Sequence, residues 1–267
     1  MVLFGAAGCR APAALRTPER YKNGVVFVLP GIEGTSPWNR NIAIGLDKGG
    51  VVSAIEVYDW TYKIPGANIF NLTNIERNRE QAAKLAQRII QHVDRNPGTP
   101  VHLIGHSGGG GMAVLTLEAL PADIEVDQVV LLAPALSPEY DLSRALRRTR
   151  KGIVNYYSQL DLGFLGIGTT VFGSIDRDRG PSAGAIGFEY PQRLSADGRK
   201  LYASKLRQVR WTPQMAKRGA FGTHMGWMRQ DFARSTLSPI IRKNESERRI
   251  ARDAPASAPA TSSSSAQ

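Results

Sequence analysis

Residues 101–120 read VHLIGHSGGGGMAVLTLEAL: an apolar run, a histidine and a serine, four glycines, then a second apolar run. Glycine loses more backbone freedom on folding than any other residue, so four in succession need a reason. The first run is short and rich in Val, Ile and Leu, as in a strand covered on both faces, and the second reads as a helix. At the junction GHSGG, residues 105–109, fits G-x-S-x-G. A serine on so sharp a strand-to-helix turn takes strained backbone angles, and bulky residues two positions either side would collide with the strand and the helix. Gly105 and Gly109 meet that demand. Gly108 lets the amide after Ser107 approach a developing oxyanion, and Gly110 and Gly111 are expected to let the helix lie close against the sheet. A phosphate-cradling turn is the competing reading, but no Lys-Ser or Lys-Thr follows, and GGGGMA fits G-x-G-x-x-G poorly.

Working outward, GVVFVLP from Gly24, SAIEVYDW from Ser53 and QVVLLAPA from Gln128 are further buried-strand runs. Between the second and third strands Ala82, Leu85, Ala86, Ile89, Ile90 and Val93 recur at helical spacing, and Asn96-Pro97-Gly98 ends the run. A helix over DLSRALRRTRK, a strand IVNYYS, a late strand LRQVRW and a helical stretch from about Met225 complete the pattern. Strands alternating with helices predict a doubly wound α/β fold, a mostly parallel central sheet flanked by helices. One domain over residues 21–245 is expected. Residues 1–20 read as the remnant of a leader with a linker, and residues 253–267, DAPASAPATSSSSAQ, as a disordered tail that cannot bury enough apolar surface to order.

A serine is a weak nucleophile until a base takes its proton. Of the four histidines, His92, His102, His106 and His224, only His224 follows the serine, as this elbow arrangement requires of the base. His92 and His102 read as structural, and His106 as a pocket residue. A carboxylate between Ser107 and His224 must orient the imidazole. Asp161, just past the IVNYYS strand, is the first candidate, with Asp176 and Asp178 as rivals. An oxyanion hole needs a second amide besides Gly108, and PGIEG after the first strand offers Ile32 with Gly31 beside it. Glu33 is a pocket candidate of open role; Trp60, Tyr62, Ile64 and Phe70 are candidates for an acyl-pocket wall.

With LPGIEG, GHSGG, YSQLD and GTHMGW in this order, the chain from Gly24 to Phe232 resembles the α/β-hydrolases. The resemblance implies an eight-stranded, mostly parallel sheet, a Ser107–His224–Asp161 triad, and hydrolysis of an ester, thioester or amide through an acyl-enzyme without cofactor or metal. Pro30 stands where many members carry histidine, which leaves the backbone donor in place. Room for one helix between Ala135 and Asp161 implies a minimal lid or none. A carboxylesterase or lipase-like enzyme acting on a small-molecule or lipid acyl substrate leads; a thioesterase, peptidase, acyltransferase or noncatalytic binding protein on the same fold are the alternatives.

The chain carries 34 Lys and Arg against 23 Asp and Glu, a net charge of +11. Residues 191–252 alone hold 15 basic and 4 acidic residues, so this stretch contains the whole excess. An anionic membrane surface is the partner that such a face suggests; nucleic acid is not expected, because no aromatic-interleaved basic motif is present. The single cysteine, Cys9, ends AAGC, which resembles the small-residue box before the acylated cysteine of bacterial lipoproteins, with Ala6 where leucine is usual. Export or envelope anchoring through Cys9 is therefore one expectation for localisation, and the cytoplasm the other.

Overall fold

The computed structural model describes residues 12–62, 70–161, 175–176 and 180–254. Six strands form one sheet: β1 (Val25–Leu29), β2 (Ala54–Val57), β3 (Val101–His106), β4 (Gln128–Leu132), β5 (Ile153–Tyr157) and β6 (Leu206–Arg210). Their order is β2-β1-β3-β4-β5-β6 and every pair is parallel. The sheet of eight implied by resemblance is thus one of six among the described residues. Ahead of β1 the chain forms two helical turns, Pro12–Leu15 and Pro18–Tyr21, where the prolines withhold ladder donors.

Alternation along β1 explains the two layers of helices. Val25, Phe27 and Leu29 join one buried cluster, and Val26 and Val28 join the other. The first face is covered by α2 (Ile75–Arg95), through Leu85 and Ile89, and by α3 (Gly108–Ala119), whose residues 108–114 are buried on every side. The second is covered by α1 (Pro37–Lys48), through Ile42 and Leu46, and by Trp227, Phe232 and Ile241, the last on α5 (Ser238–Asp253). α4 (Ala196–Lys205) leads into the edge strand β6, which exposes Arg207, Gln208 and Arg210 and half-buries Leu206 and Val209.

Two expectations change. DLSRALRRTRK is helical only over Ser143–Leu146, because Thr149 bridges Val126 in parallel and Arg150 donates to the Val126 carbonyl, drawing the chain into β5. The packed body also reaches beyond residues 21–245. Leu15 is buried, Arg20 binds the Asp47 carboxylate and the carbonyls of Val51 and Ser53, and Arg248 pairs with Asp127. Cys9, Ile64, Asp178 and residues 255–267 of the tail lie outside the described residues.

Chain direction across the sheet reverses between β1 and β3, and in a doubly wound sheet that switch opens a crevice at the strands' carboxyl ends. The Pro30–Gly34 loop leaves β1, and Ser107 leaves β3, on either side of it. No helix among the described residues is long and apolar enough to cross a membrane.

Candidate active site

Ser107 joins β3 to α3 at φ 54° and ψ −123°, a region that costs a side chain about 1–3 kcal/mol. Hydrogen bonds hold it there: its amide donates to the Leu132 carbonyl at 3.0 Å, and its carbonyl accepts from Gly110 at 2.9 Å and Ala135 at 3.0 Å. The glycines now have steric reasons. A Cβ on Gly105 would strike the Gly109 carbonyl, and one on Gly109 the carbonyls of Leu29 and Pro30. Gly110 lies against Gly105 of β3, as expected, and also against the loop after β4, where a Cβ on it would stand 2.7 Å from Pro134 Cβ; a Cβ on Gly111 would instead stand 2.5 Å from Ile175 Cγ2.

The loop after β1 is fastened at three carbonyls. Trp60 Nε1 donates to Pro30 at 2.8 Å, Asn71 Nδ2 to Ile32 at 3.0 Å and Asn39 Nδ2 to Gly34 at 2.7 Å. Ser107 Cβ lies 3.3 Å from where a Cβ on Gly31 would stand, and Ile32 Cγ2 lies 3.1 Å from the same point on Gly108. The Ile32 and Gly108 segments therefore meet beside the serine. The Gly108 amide is among the first N–H groups of α3, which have no partner within their own helix.

His224 opens the 3₁₀ turn His224–Met228, and its Nδ1 is 3.0 Å from Asp161 Oδ2, with both side chains buried. A carboxylate on Nδ1 favours the proton there and leaves Nε2 as acceptor. Asp161 is held by its own amide, which donates to Ser158 at 3.0 Å. Asp176 is instead bound to Ser137, through that residue's amide at 3.1 Å and its hydroxyl.

His106 lies behind His224. The two rings are 4.6 Å apart, and His106 Nε2 donates to the His224 carbonyl at 3.0 Å. Burial, followed by the nearby His224 charge, pushes its pKa well below the ordinary histidine range, so it is a neutral brace. The pocket role expected of it therefore gives way to a fastening one. The sequence carries a signal for this: a buried histidine beside the serine needs a polar partner, and the base loop is what arrives there.

Trp60 is fully buried beneath the loop after β1, its ring edge 3.2 Å from the Gly108 Cβ point, so it supports that loop. Tyr62 is turned to the start of α2: its hydroxyl accepts from Asn74, and Arg77 stacks on its ring at 3.8 Å. Phe70 is exposed. The Glu33 carboxylate crowds the Cβ point of Gly31, the same point that Ser107 Cβ approaches. Its surface is open to solvent on one side. Burial on the other raises its pKa; backbone amides, Asn39 and the positive field of His224 oppose the shift without cancelling it. His92, bonded to Thr99, and His102, enclosed in the sheet, stay outside the site. No group of three or more His, Cys, Asp or Glu among the described residues could hold a metal ion.

Among solved structures the chain is similar to esterase PE8, at 14% identity over 83% of this chain and 92% of that one, with a TM-score of 0.45. It is similar to a dienelactone hydrolase-like promiscuous phosphotriesterase from metagenomic libraries, at 13% identity over 82% and 85%, TM-score 0.48. It is also similar to carboxyl esterase 2 of the mycorrhizal fungus Tuber melanosporum, at 12% identity over 83% and 78%, TM-score 0.43. No curated protein matches the sequence. The family profile described as serine aminopeptidase, S33, matches residues 72–234, a span that contains Ser107, Asp161 and His224. With more than half of its length so matched, the chain belongs to this S33 family of α/β-hydrolases.

Proposed function

We propose that the protein is a serine hydrolase that cleaves a carboxylic ester through an acyl-enzyme. One observation carries the reading: the hydrogen bond between His224 and Asp161, 63 positions apart, beside a strained serine elbow. In this reading Ser107 Oγ attacks the acyl carbon and its proton passes to His224 Nε2. Asp161 holds the ring and stabilises its cation. The carbonyl electron pair moves to oxygen, where the Ile32 and Gly108 amides receive it. Collapse expels the alcohol, which takes the proton from His224, and water repeats the sequence to release the acid. A thioester would follow the same path.

Labelling the purified protein with a fluorophosphonate, mapping the adduct by mass and assaying a series of p-nitrophenyl esters tests this reading. Labelling on Ser107 with ester turnover, both absent in Ser107→Ala, is the expected result. A folded protein that neither labels nor turns over an ester would instead be a noncatalytic binding protein.

Glu33 favours a second reading within the same chemistry. A carboxylate beside the serine suits an acyl group that carries an ammonium, as in an aminoacyl ester or anilide, and the S33 description is that of an aminopeptidase. Comparing aminoacyl p-nitroanilides with their deaminated analogues separates the two readings: an aminopeptidase prefers the amines, a plain esterase does not.

A further inference from the structure

A polar cavity of about 200 Å³ opens at the end of the sheet where strands begin. Arg242, Arg248, Arg249 and Arg252, all from α5, form one wall, and the Gly98–Pro100 turn into β3 forms the other. The charge in it is unevenly spent. Arg248 is committed to Asp127, at 2.6 Å from Nε and 3.3 Å from Nη2. Glu245, the carboxylate in the lining, is used up by the Ser53 amide at 2.9 Å, the Ser53 hydroxyl at 2.7 Å and the Val52 amide at 3.2 Å. Among the described residues Arg242 reaches only the Gly49 carbonyl, at 3.4 Å, and Arg252 only the Lys22 carbonyl and Asp253, each at 3.5 Å. Arg249 is exposed and makes no hydrogen bond or ion pair among the described residues.

Arginines three and four apart on one helix face repel, at about 0.2–0.5 kcal/mol for each like-charged pair. The helix dipole rewards a cation in the last turn, which accounts for Arg252 but not for Arg242 near the start of α5. On the opposite wall a Cβ on Gly98 would meet nothing within 4 Å, so the backbone is open to an occupant. Guanidinium groups present forked donors that match phosphate oxygens in pairs.

We infer that this cavity binds a phosphate-bearing group, a phosphomonoester or pyrophosphate, whether free or at a lipid headgroup. The six residues of β3 separate it from Ser107 by roughly 20 Å at about 3.3 Å per residue. Occupancy there is independent of the hydrolytic reading, and substitutions in this wall leave ester turnover unchanged.

The test has two arms on the full chain: calorimetric titration with inorganic pyrophosphate at fixed ionic strength, and co-sedimentation with phosphatidylcholine vesicles with and without phosphatidic acid. Binding in either arm is expected, weakened at least tenfold in Arg242→Glu/Arg249→Glu and unchanged in Lys84→Glu on α2. Pyrophosphate binding assigns a free ligand and vesicle binding alone assigns a headgroup. Binding in neither arm overturns the inference. So does binding that the folded double variant keeps, and so does equal weakening by Lys84→Glu, which would reduce the effect to net charge.

Discussion

At the scale of single residues, the site depends on where a few atoms are forbidden. Gly109→Ala would drive a methyl into two carbonyls that cannot retreat, since Leu29 ends β1 and Pro30 is held by Trp60 Nε1. Displacement of the elbow by about 1 Å costs on the order of 100-fold in turnover, and that loss should appear in kcat for p-nitrophenyl acetate. Ser107→Ala and His224→Ala should each reduce ester turnover by about 10⁴-fold or more with the circular-dichroism spectrum unchanged. Asp161→Asn should follow them while Asp176→Asn should not, and the reverse result would reassign the acid. Glu33 gives a pH signature. Its carboxyl titrates above the ordinary glutamate range, and only the ionised form attracts an ammonium. KM for an aminoacyl anilide should therefore rise as pH falls through that raised pKa, while KM for a neutral ester stays flat. Glu33→Gln should remove the difference.

At the scale of elements, the sheet was legible because strands buried on both faces leave continuous apolar runs, and all six were read from such runs or from the pattern beside them. The Asp141–Lys151 segment was misjudged because its composition suits a helix while a parallel bridge to Val126 claims its second half, and no local pattern records a partner 23 residues away. The order of Ser107, Asp161 and His224 could be read in the sequence, and so could the need of a buried His106 for a polar partner; that the partner is the His224 carbonyl could not, because it depends on two loops meeting across the sheet. α5 shows the same limit. Glu245 looks like one charge in a basic helix, yet it caps the amides that precede β2. Glu245→Ala leaves buried donors unmet and should lower stability by about 2–3 kcal/mol in urea unfolding, with the slope preserved.

At the scale of the whole molecule, three histidines are buried in their neutral form. Burial lowers His92 and His102 to about 4, and pushes His106 well below the ordinary histidine range. In the unfolded chain each takes a proton near pH 6.5. Between pH 6.5 and 4 the unfolded state therefore binds more protons than the folded one, and stability falls as pH falls through that window. The urea midpoint should drop between pH 7 and 4.5. His102 finds no hydrogen-bond partner for either ring nitrogen among the described residues, so His102→Gln, which cannot ionise, should flatten part of the slope.

The pairing of Asp161 with His224 also sets a schedule for the chain on the ribosome. The elbow and the strands around it emerge early, but the imidazole arrives only with residue 224, and α5, whose Glu245 ties the far end of the body to Ser53, comes later still. On the proposed reading, a growing chain thus carries an inert serine until residue 224 has joined the fold, and the chemistry waits on that docking.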